Sequence, residues 1–259
     1  MIALAFVLLQ AAPSTPWSIW SREPAAHFTE SAPLGNAHLG ALVFGGVVHE
    51  RIVLNESTLW SGSVEDADRA DAHEALPEIL GLLREGKNPE AQALVNAHFT
   101  CSGAGSGQGN GKSVPYGCYQ TLGELALDFP GLGEASDYLR ELDLERAMAR
   151  VSFTSGGVRY TREAFASHPA RVLVLRLAAD RPGAITCDVR LARAERGDVE
   201  ARPGELVLAG RLADGKGGDG MRYLARLRVL AKGGSVLRAD DTLSIRGADE
   251  ALFVLAAGT

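Results

Sequence analysis

The ten residues from Met221 to Leu230, M-R-Y-L-A-R-L-R-V-L, alternate between polar and apolar side chains over most of their length. Arg222, Arg226 and Arg228 fall on one face of this period-two pattern. The side chains on the opposite face are Tyr223, Ala225, Leu227 and Val229. Because successive side chains of a strand point to opposite faces, the pattern predicts a β-strand with a solvated arginine face and a buried apolar face.

Similar runs recur along the chain and are separated by turns rich in Gly, Pro and Asp. The clearest are Leu39–Val48, Glu50–Leu54, Leu122–Phe129, Val158–Glu163, Val172–Leu177, Leu206–Leu208, Leu243–Ile245 and Leu252–Ala257. The aromatic stretch Trp17–Pro33 has no clear period and is interpreted as irregular. Short strands at this spacing predict a mainly β fold, a large antiparallel β-sandwich of the super-sandwich kind.

One segment, at about residues 66–99, has a helical pattern instead. Apolar residues recur at i, i+3, i+4 and i+7 from Leu76 to Leu83, and Gly86 follows at the position of a C-cap. Asn88-Pro89 then supplies an N-cap and a first-turn proline for a second helix. The sequence therefore predicts a short two-helix insertion between strands.

The composition is that of an ordinary globular protein, with 46% hydrophobic and 22% charged residues among 259. The formal net charge of −6 gives no general reason to bind nucleic acid or an anionic membrane, and neither is predicted as a partner. The N-terminal apolar run is too short to span a membrane, and no other segment is long and apolar enough to do so.

The chain begins with a short apolar run, Met1–Leu9, followed by small residues and prolines. This pattern predicts a signal peptide over residues 1–16, export to a secreted or periplasmic location, and a domain over residues 17–259. A mispredicted or trimmed start is the alternative, because no Lys or Arg precedes the run and no clean cleavage site follows it.

Cys101 and Cys118 flank a loop rich in Gly and Ser. In an exported protein, a Cys101–Cys118 disulfide closing this loop would contribute about 3 kcal/mol. Two unpaired thiols in a flexible loop are the open alternative. The loop lacks the glycine spacing of a phosphate-binding loop, since Ser106 stands where the first glycine is required.

No pattern in the sequence indicates a metal, a cofactor or a catalytic pair. The six histidines and three cysteines lack zinc spacing, so no metal site and no cofactor are predicted. Acidic residues are plentiful, but sequence alone does not establish the carboxylate separation that glycoside hydrolysis needs. No Asp or Glu is therefore assigned as a catalyst.

Five stretches in order carry a family resemblance. They are Pro33–Gly46 (P-L-G-N-A-H-L-G-A-L-V-F-G-G), Glu50–Gly62 (E-R-I-V-L-N-E-S-T-L-W-S-G), Tyr119–Leu125 (Y-Q-T-L-G-E-L), Tyr138–Leu144 (Y-L-R-E-L-D-L) and Tyr160–Ser167 (Y-T-R-E-A-F-A-S). Together they resemble the N-terminal domain of glycoside hydrolase family 95, the inverting 1,2-α-L-fucosidases and related α-L-galactosidases. The likeness runs from about Trp17 to Thr259.

The resemblance implies a β-sandwich followed, in the whole enzyme, by a helical linker, an (α/α)6 barrel and a small β domain. In that family the general acid and the groups that activate water belong to the barrel, which this sequence lacks, so no catalytic residue is carried over. The implied partners are that catalytic (α/α)6 domain and, through the full-length enzyme, a fucosylated oligosaccharide. Two departures are Ala37, where the family usually has glycine, and Ser57, where it often has an acid.

The resemblance also draws attention to Asn55, Glu56 and Trp60, which lie just past a predicted strand end. We predict that this loop docks on the catalytic domain or lines the mouth of its pocket. The structural alternative makes Trp60 a core aromatic and Asn55 a turn residue whose side chain bonds its own backbone.

The prediction for function is a non-catalytic N-terminal domain of an α-L-fucosidase-like hydrolase that cleaves terminal α-L-fucosyl linkages with inversion. By family the protein belongs to an enzyme, but the chain alone is predicted to be inactive, and its end directly after a strand suggests truncation. The alternatives are a stand-alone carbohydrate-binding module and a scaffold β-sandwich. Fucose and galactose remain open as the sugar.

Overall fold

The computed structural model describes residues 12–64, 69–99 and 117–259. Contacts divide the chain into two compact units. The first comprises Met1–Leu59, Gln120–Arg211 and Arg222–Thr259, and the second comprises Trp60–Tyr119 and Leu212–Met221. Most of the strands, and with them the predicted sandwich, belong to the first unit.

A nine-stranded antiparallel sheet, most of whose residues belong to the first unit, has the order β1-β6-β7-β8-β9-β16-β13-β12-β11. In that order its strands are Ser18–Ser21, Ser136–Asp143, Met148–Ser155, Val158–Ser167, Val172–Ala179, Glu250–Gly258, Asp219–Lys232, Glu205–Ala213 and Gly197–Arg202. Neighbours in sequence are mostly neighbours in the sheet, as hairpin connections require.

A second, seven-stranded antiparallel sheet has the order β14-β15-β10-β5-β4-β3-β2. In that order its strands are Ser235–Ala239, Thr242–Ala248, Ile185–Ala192, Gly123–Asp128, His49–Glu56, Leu39–Val43 and Ala32–Gly35. Buried side chains from both sheets form the core of this unit. The prediction of a mainly β, antiparallel sandwich is confirmed.

The alternating stretch Met221–Leu230 lies inside β13, as predicted. Tyr223, Ala225, Leu227 and Val229 are buried, and the arginines between them are exposed. β13 pairs with β16 over nine residues, from Leu224 opposite Gly258 to Lys232 opposite Glu250. The period-two pattern therefore reports one-sided burial.

The interpretation of Trp17–Pro33 as irregular was wrong at both ends. Ser18–Ser21 forms β1 on β6, and Ala32–Gly35 forms β2 on β3. Both are edge strands of only four residues, too short for a period to emerge. The middle of the stretch contains a single 3-10 turn, Phe28–Glu30.

The second unit contains the two predicted helices, α1 at Leu76–Arg84 and α2 at Asn88–His98, after a 3-10 turn at Ala72–Ala75. The C-cap of α1 is Glu85, one residue before the predicted position, and Gly86 follows it with φ +75°, as a glycine after a C-cap commonly does. The second helix begins at Asn88 itself, with Lys87 as the N-cap, so the predicted cap was misplaced by one residue. In the described ranges, neither helix is long and apolar enough to cross a membrane.

Candidate functional site

The loop singled out in the sequence begins at the end of β4, where Asn55 pairs with Gly40 of β3. Glu56 is 5% exposed. Its Oε2 accepts hydrogen bonds from the backbone N–H of Thr58 at 2.8 Å and from Thr58 Oγ1 at 2.7 Å. The carboxylate therefore closes the turn after β4 and fixes the direction in which the chain leaves the sheet.

Trp60 is 51% exposed, so it is a surface aromatic and not a core residue. It forms an antiparallel bridge with Tyr119, itself 41% exposed, and the two rings meet edge to face with centroids 5.9 Å apart. Ser61 N–H donates to the carbonyl of Cys118 at 3.0 Å, and Cys118 N–H donates to Ser61 Oγ at 3.1 Å. Backbone pairing thus holds an exposed aromatic pair in one geometry.

Sequence reasoning did not nominate Tyr119 as a site residue. The motif Tyr119–Leu125 was quoted for the resemblance, but nothing in it specifies a partner nearly sixty residues earlier. The structure brings Trp60 together with Tyr119, and Glu56 together with Thr58.

Between the two sheets lies an ion pair formed by Glu50 of β4 and Arg162 of β8. Both side chains are almost completely buried, with 3.1 Å between Glu50 Oε2 and Arg162 Nη1. Glu50 Oε1 also accepts hydrogen bonds from the backbone N–H groups of Gly45 at 2.8 Å and Arg51 at 3.1 Å. A buried carboxylate is tolerated here because donors surround it.

The guanidinium of Arg162 organises the loop that joins β3 to β4. It donates to the carbonyl oxygens of Gly46 and, at 2.6 Å, Val47, and it lies 4.1 Å from the centroid of the Phe129 ring. A Cβ on Gly46 would meet the carbonyl of His49 at 1.9 Å, so only glycine fits at this position. The loop conformation and the ion pair therefore depend on each other.

Tyr138 completes this buried polar cluster, since its hydroxyl donates to the carbonyl of Gly45 at 2.8 Å. Burial raises the pKa of Tyr138 and of Glu50, while the charge of Arg162 and the donated hydrogen bonds oppose the rise at Glu50. Burial likewise lowers the pKa of Arg162. Residues from four of the five motif stretches thus contact one another at one point between the two sheets.

The predicted Cys101–Cys118 disulfide cannot be placed, because Cys101 lies outside the described residues, as does most of the loop between them. Cys118 is exposed, whereas Cys187 is buried and burial raises its pKa to about 12. Within residues 12–64, 69–99 and 117–259, no group of three or more His, Cys, Asp or Glu side chains is arranged to hold a metal ion. Residues 1–11, which carry most of the predicted signal peptide, also lie outside the described part.

Residues 19–259 match the family described as glycosyl hydrolase family 65, N-terminal domain. The chain belongs to that family. The prediction of an N-terminal domain from a glycoside hydrolase is therefore confirmed. The matching family is described by the number 65, whereas the sequence resemblance pointed to family 95.

Curated relatives of this N-terminal domain are described as fucosidases. "Alpha-L-fucosidase 2" of Arabidopsis thaliana is 35% identical over 179 residues, which cover 68% of this chain and 20% of the relative. "Probable alpha-fucosidase A" of Aspergillus niger is 30% identical over 173 residues, covering 63% and 20%. The chain thus spans about a fifth of the length of these relatives.

A solved structure named "Putative kojibiose phosphorylase from human microbiome" aligns with 96% of this chain and 33% of its own, with a TM-score of 0.45 and 9% identity. A likeness this distant supports no conclusion about activity.

Proposed function

We propose that this chain is the non-catalytic N-terminal domain of an α-L-fucosidase-like glycoside hydrolase, specifically of the family-95 type. The whole enzyme would hydrolyse terminal α-L-fucosyl linkages with inversion, one carboxylic acid protonating the leaving oxygen while an activated water attacks the opposite face. The observation that carries the proposal is the 35% identity to a protein named as an α-L-fucosidase, over two thirds of this chain. The enzyme would act outside the cytoplasm, in keeping with the apolar run at Met1–Leu9.

The surroundings of Glu50 and Glu56, two acidic residues of the shared motifs, support a non-catalytic role for both. A general acid needs a raised pKa together with access to substrate. Glu50 has a raised pKa, but it is sealed between the sheets and bonded to Arg162. Glu56 is buried in its own turn. These carboxylates stabilise the domain, and the catalytic pair would come from an (α/α)6 partner domain.

The turn after β4 supports a docking role for Asn55, Glu56 and Trp60. Thr58 Oγ1 and Thr259 Oγ1 are hydrogen-bonded at 2.7 Å, so a polypeptide joined after Thr259 would leave the sheet beside Thr58, two residues before Trp60. An exposed, backbone-anchored aromatic pair is the type of feature that dominates binding energy at interfaces. We infer that Trp60 and Tyr119 contact the catalytic domain or the sugar at its pocket mouth.

The first experiment measures release of nitrophenol from aryl α-L-fucoside and aryl α-L-galactoside by the purified 259-residue chain. We expect no release above the buffer rate from either substrate. Turnover of either one that survives a further purification step would refute the non-catalytic assignment.

The second experiment uses a longer chain in which this domain is joined to an (α/α)6 domain. Trp60→Ala and Tyr119→Ala are expected to lower kcat/KM for the aryl fucoside by roughly tenfold or more, because misplacing a pocket wall is costly to catalysis. Trp17→Ala is the matched control, since Trp17 is also an exposed tryptophan. Equal activity in all three variants would show that the aromatic pair has no part in the site.

A further inference from the structure

The ordered contacts of the nine-stranded sheet extend N-terminal to β1, over residues 14–17. β1 begins at Ser18 and pairs with β6. One residue earlier, the carbonyl of Trp17 accepts the backbone N–H of Leu144 at 2.9 Å. The hydroxyl of Ser18 donates to the carbonyl of Thr15 at 3.0 Å, and the Thr15 hydroxyl oxygen is shielded from solvent. Residues 14–17, named the N-terminal strap, are therefore packed on the domain.

The first residue of the strap, Ser14, supplies donors to a buried carboxylate. Its backbone N–H donates to Glu141 of β6, with the nitrogen 3.0 Å from Oε1 and 3.2 Å from Oε2. Its hydroxyl also donates to Glu141 Oε1. Glu141 is 3% exposed, and a carboxylate that is shielded from water needs hydrogen-bond donors. Among the residues that the structure describes, the donors to this carboxylate both belong to Ser14.

The other acidic side chains of the same sheet face have arginine partners of their own. Asp143 Oδ2 accepts a hydrogen bond from Arg146 Nη1 at 3.0 Å. Arg150 lies opposite Glu141 on β7, but its Nε is placed toward Glu163, at 3.7 Å from Oε1. Glu141 differs from both neighbours because its hydrogen bonds come from the strap. Loss of the strap would therefore leave this one carboxylate without its donors.

This contact bears on where a leader peptide can end. The sequence pattern places the predicted signal peptide over residues 1–16, and removal of that whole stretch would take Ser14 away from Glu141. The small residues that a signal peptidase requires also occur earlier, at Ala11 and Ala12. A cut directly after either alanine leaves the strap whole.

We propose that export of this protein is completed by hydrolysis of the peptide bond after Ala11 or after Ala12, so that the mature chain begins at Ala12 or Pro13. In this step a signal peptidase adds the hydroxyl of water to the alanine carbonyl carbon as the C–N bond breaks, and the released nitrogen takes the proton. The mature domain then keeps the strap, with Ser14 bonded to Glu141. The cleavage rests on the export proposed above, whereas the contacts of the strap do not.

The first test expresses the full 259-residue precursor in a bacterial host and determines the mature N-terminus of the periplasmic protein by N-terminal sequencing and intact mass. We expect the first residue to be Ala12 or Pro13. A periplasmic chain that begins at any other residue, such as Trp17, would overturn the proposed position and leave export intact. Recovery of the chain in the cytoplasm with Met1 still present would overturn export and cleavage together.

The second test requires no export and compares urea unfolding midpoints of purified chains. Removal of the strap, as in residues 17–259 against residues 12–259, is expected to lower the midpoint by about 0.3–1 M, because Glu141 loses its donors. Ser14→Ala in residues 12–259 removes the hydroxyl alone and should lower the midpoint by about half as much. Ser235→Ala, which changes an exposed serine of β14, is the matched control and should leave the midpoint unchanged.

Equal midpoints for the two chain lengths would overturn the role of the strap. If residues 17–259 do not fold, Ser14→Ala decides the outcome. A midpoint for Ser14→Ala that equals that of Ser235→Ala would then show that Glu141 does not depend on Ser14, and the structural reason for an early cleavage would be lost.

Discussion

Replacing Arg162 with methionine would remove a guanidinium from between the sheets while leaving the Glu50 carboxylate behind. The variant loses the donors to Glu50 Oε2, to the carbonyl of Gly46 and to the carbonyl of Val47. Removing one partner of a buried ion pair costs about 3–5 kcal/mol, because the remaining charge is uncompensated. A loss of that size is a large part of the ~5–15 kcal/mol by which a domain is stable.

The pH dependence of this loss identifies its cause. Burial already raises the pKa of Glu50, and in Arg162→Met no opposite charge offsets that rise. The pKa of an unfolded glutamate is ~4.3, and the folded pKa of Glu50 lies above it. Such a group contributes stability that is fully present below the unfolded pKa and is lost as the pH rises through the folded pKa. Arg162→Met should therefore be less destabilised at about pH 5 than at about pH 8.

The assay is urea unfolding followed by circular dichroism at both pH values. The double variant Glu50→Gln/Arg162→Met keeps a side-chain acceptor for the N–H groups of Gly45 and Arg51 but carries no charge there. It should therefore be more stable than Arg162→Met at the higher pH. The coupling free energy between the two substitutions is expected to be about 0.5–3 kcal/mol. Arg202→Met, which breaks the exposed pair with Glu200, is the control and should leave the midpoint unchanged. A wild-type unfolding midpoint for Arg162→Met would refute the stabilising role assigned to the Glu50–Arg162 ion pair.

Three further predictions concern the turn at Ala37, the thiol of Cys187 and the thiol of Cys118. Ala37→Gly should raise the free energy of unfolding by about 0.5–1 kcal/mol. Ala37 has φ +72°, and this left-handed conformation costs a non-glycine residue ~1–2 kcal/mol, a gain that the larger conformational entropy of glycine in the unfolded chain partly offsets. A lowered thermal midpoint would contradict this prediction. Cys187 is buried and its pKa is raised to about 12, so it should not react with a thiol reagent at about pH 8 until urea is added. Rapid labelling of Cys187 in the native protein would show that its strand is accessible to solvent. Protection of the exposed Cys118 that is lost on reduction would support the Cys101–Cys118 bridge, whereas labelling without reduction would exclude it.

Periodicity predicted the strands that bury one face, of which β13 is the clearest. It missed β6, where six consecutive residues from Tyr138 to Asp143 are buried and Arg140, Glu141 and Asp143 are among them. A strand covered on both faces has no alternation, and charged residues in it suggest a surface segment. What buries them are contacts distant in sequence, such as that of Arg140 with Glu30.

The candidate sites were predictable only in part. The motif stretches identified the family and pointed to Trp60, but its partner Tyr119 depends on how distant backbone segments pair. The same limit explains why Glu50 and Arg162 had no assigned role, since they are 112 residues apart and meet only after both sheets have formed.

The hydrogen bonds of the buried cluster also bear on how the sequence of this domain can change over time. Gly45, Gly46 and Glu50 are close in sequence, whereas Tyr138 and Arg162 are distant from them, yet each has a shape or charge that another one requires. A single substitution at position 50 or 162 leaves a variant that selection would remove before a compensating change arose. The two positions should therefore be inherited as one unit, and relatives of the domain should differ at both of them or at neither.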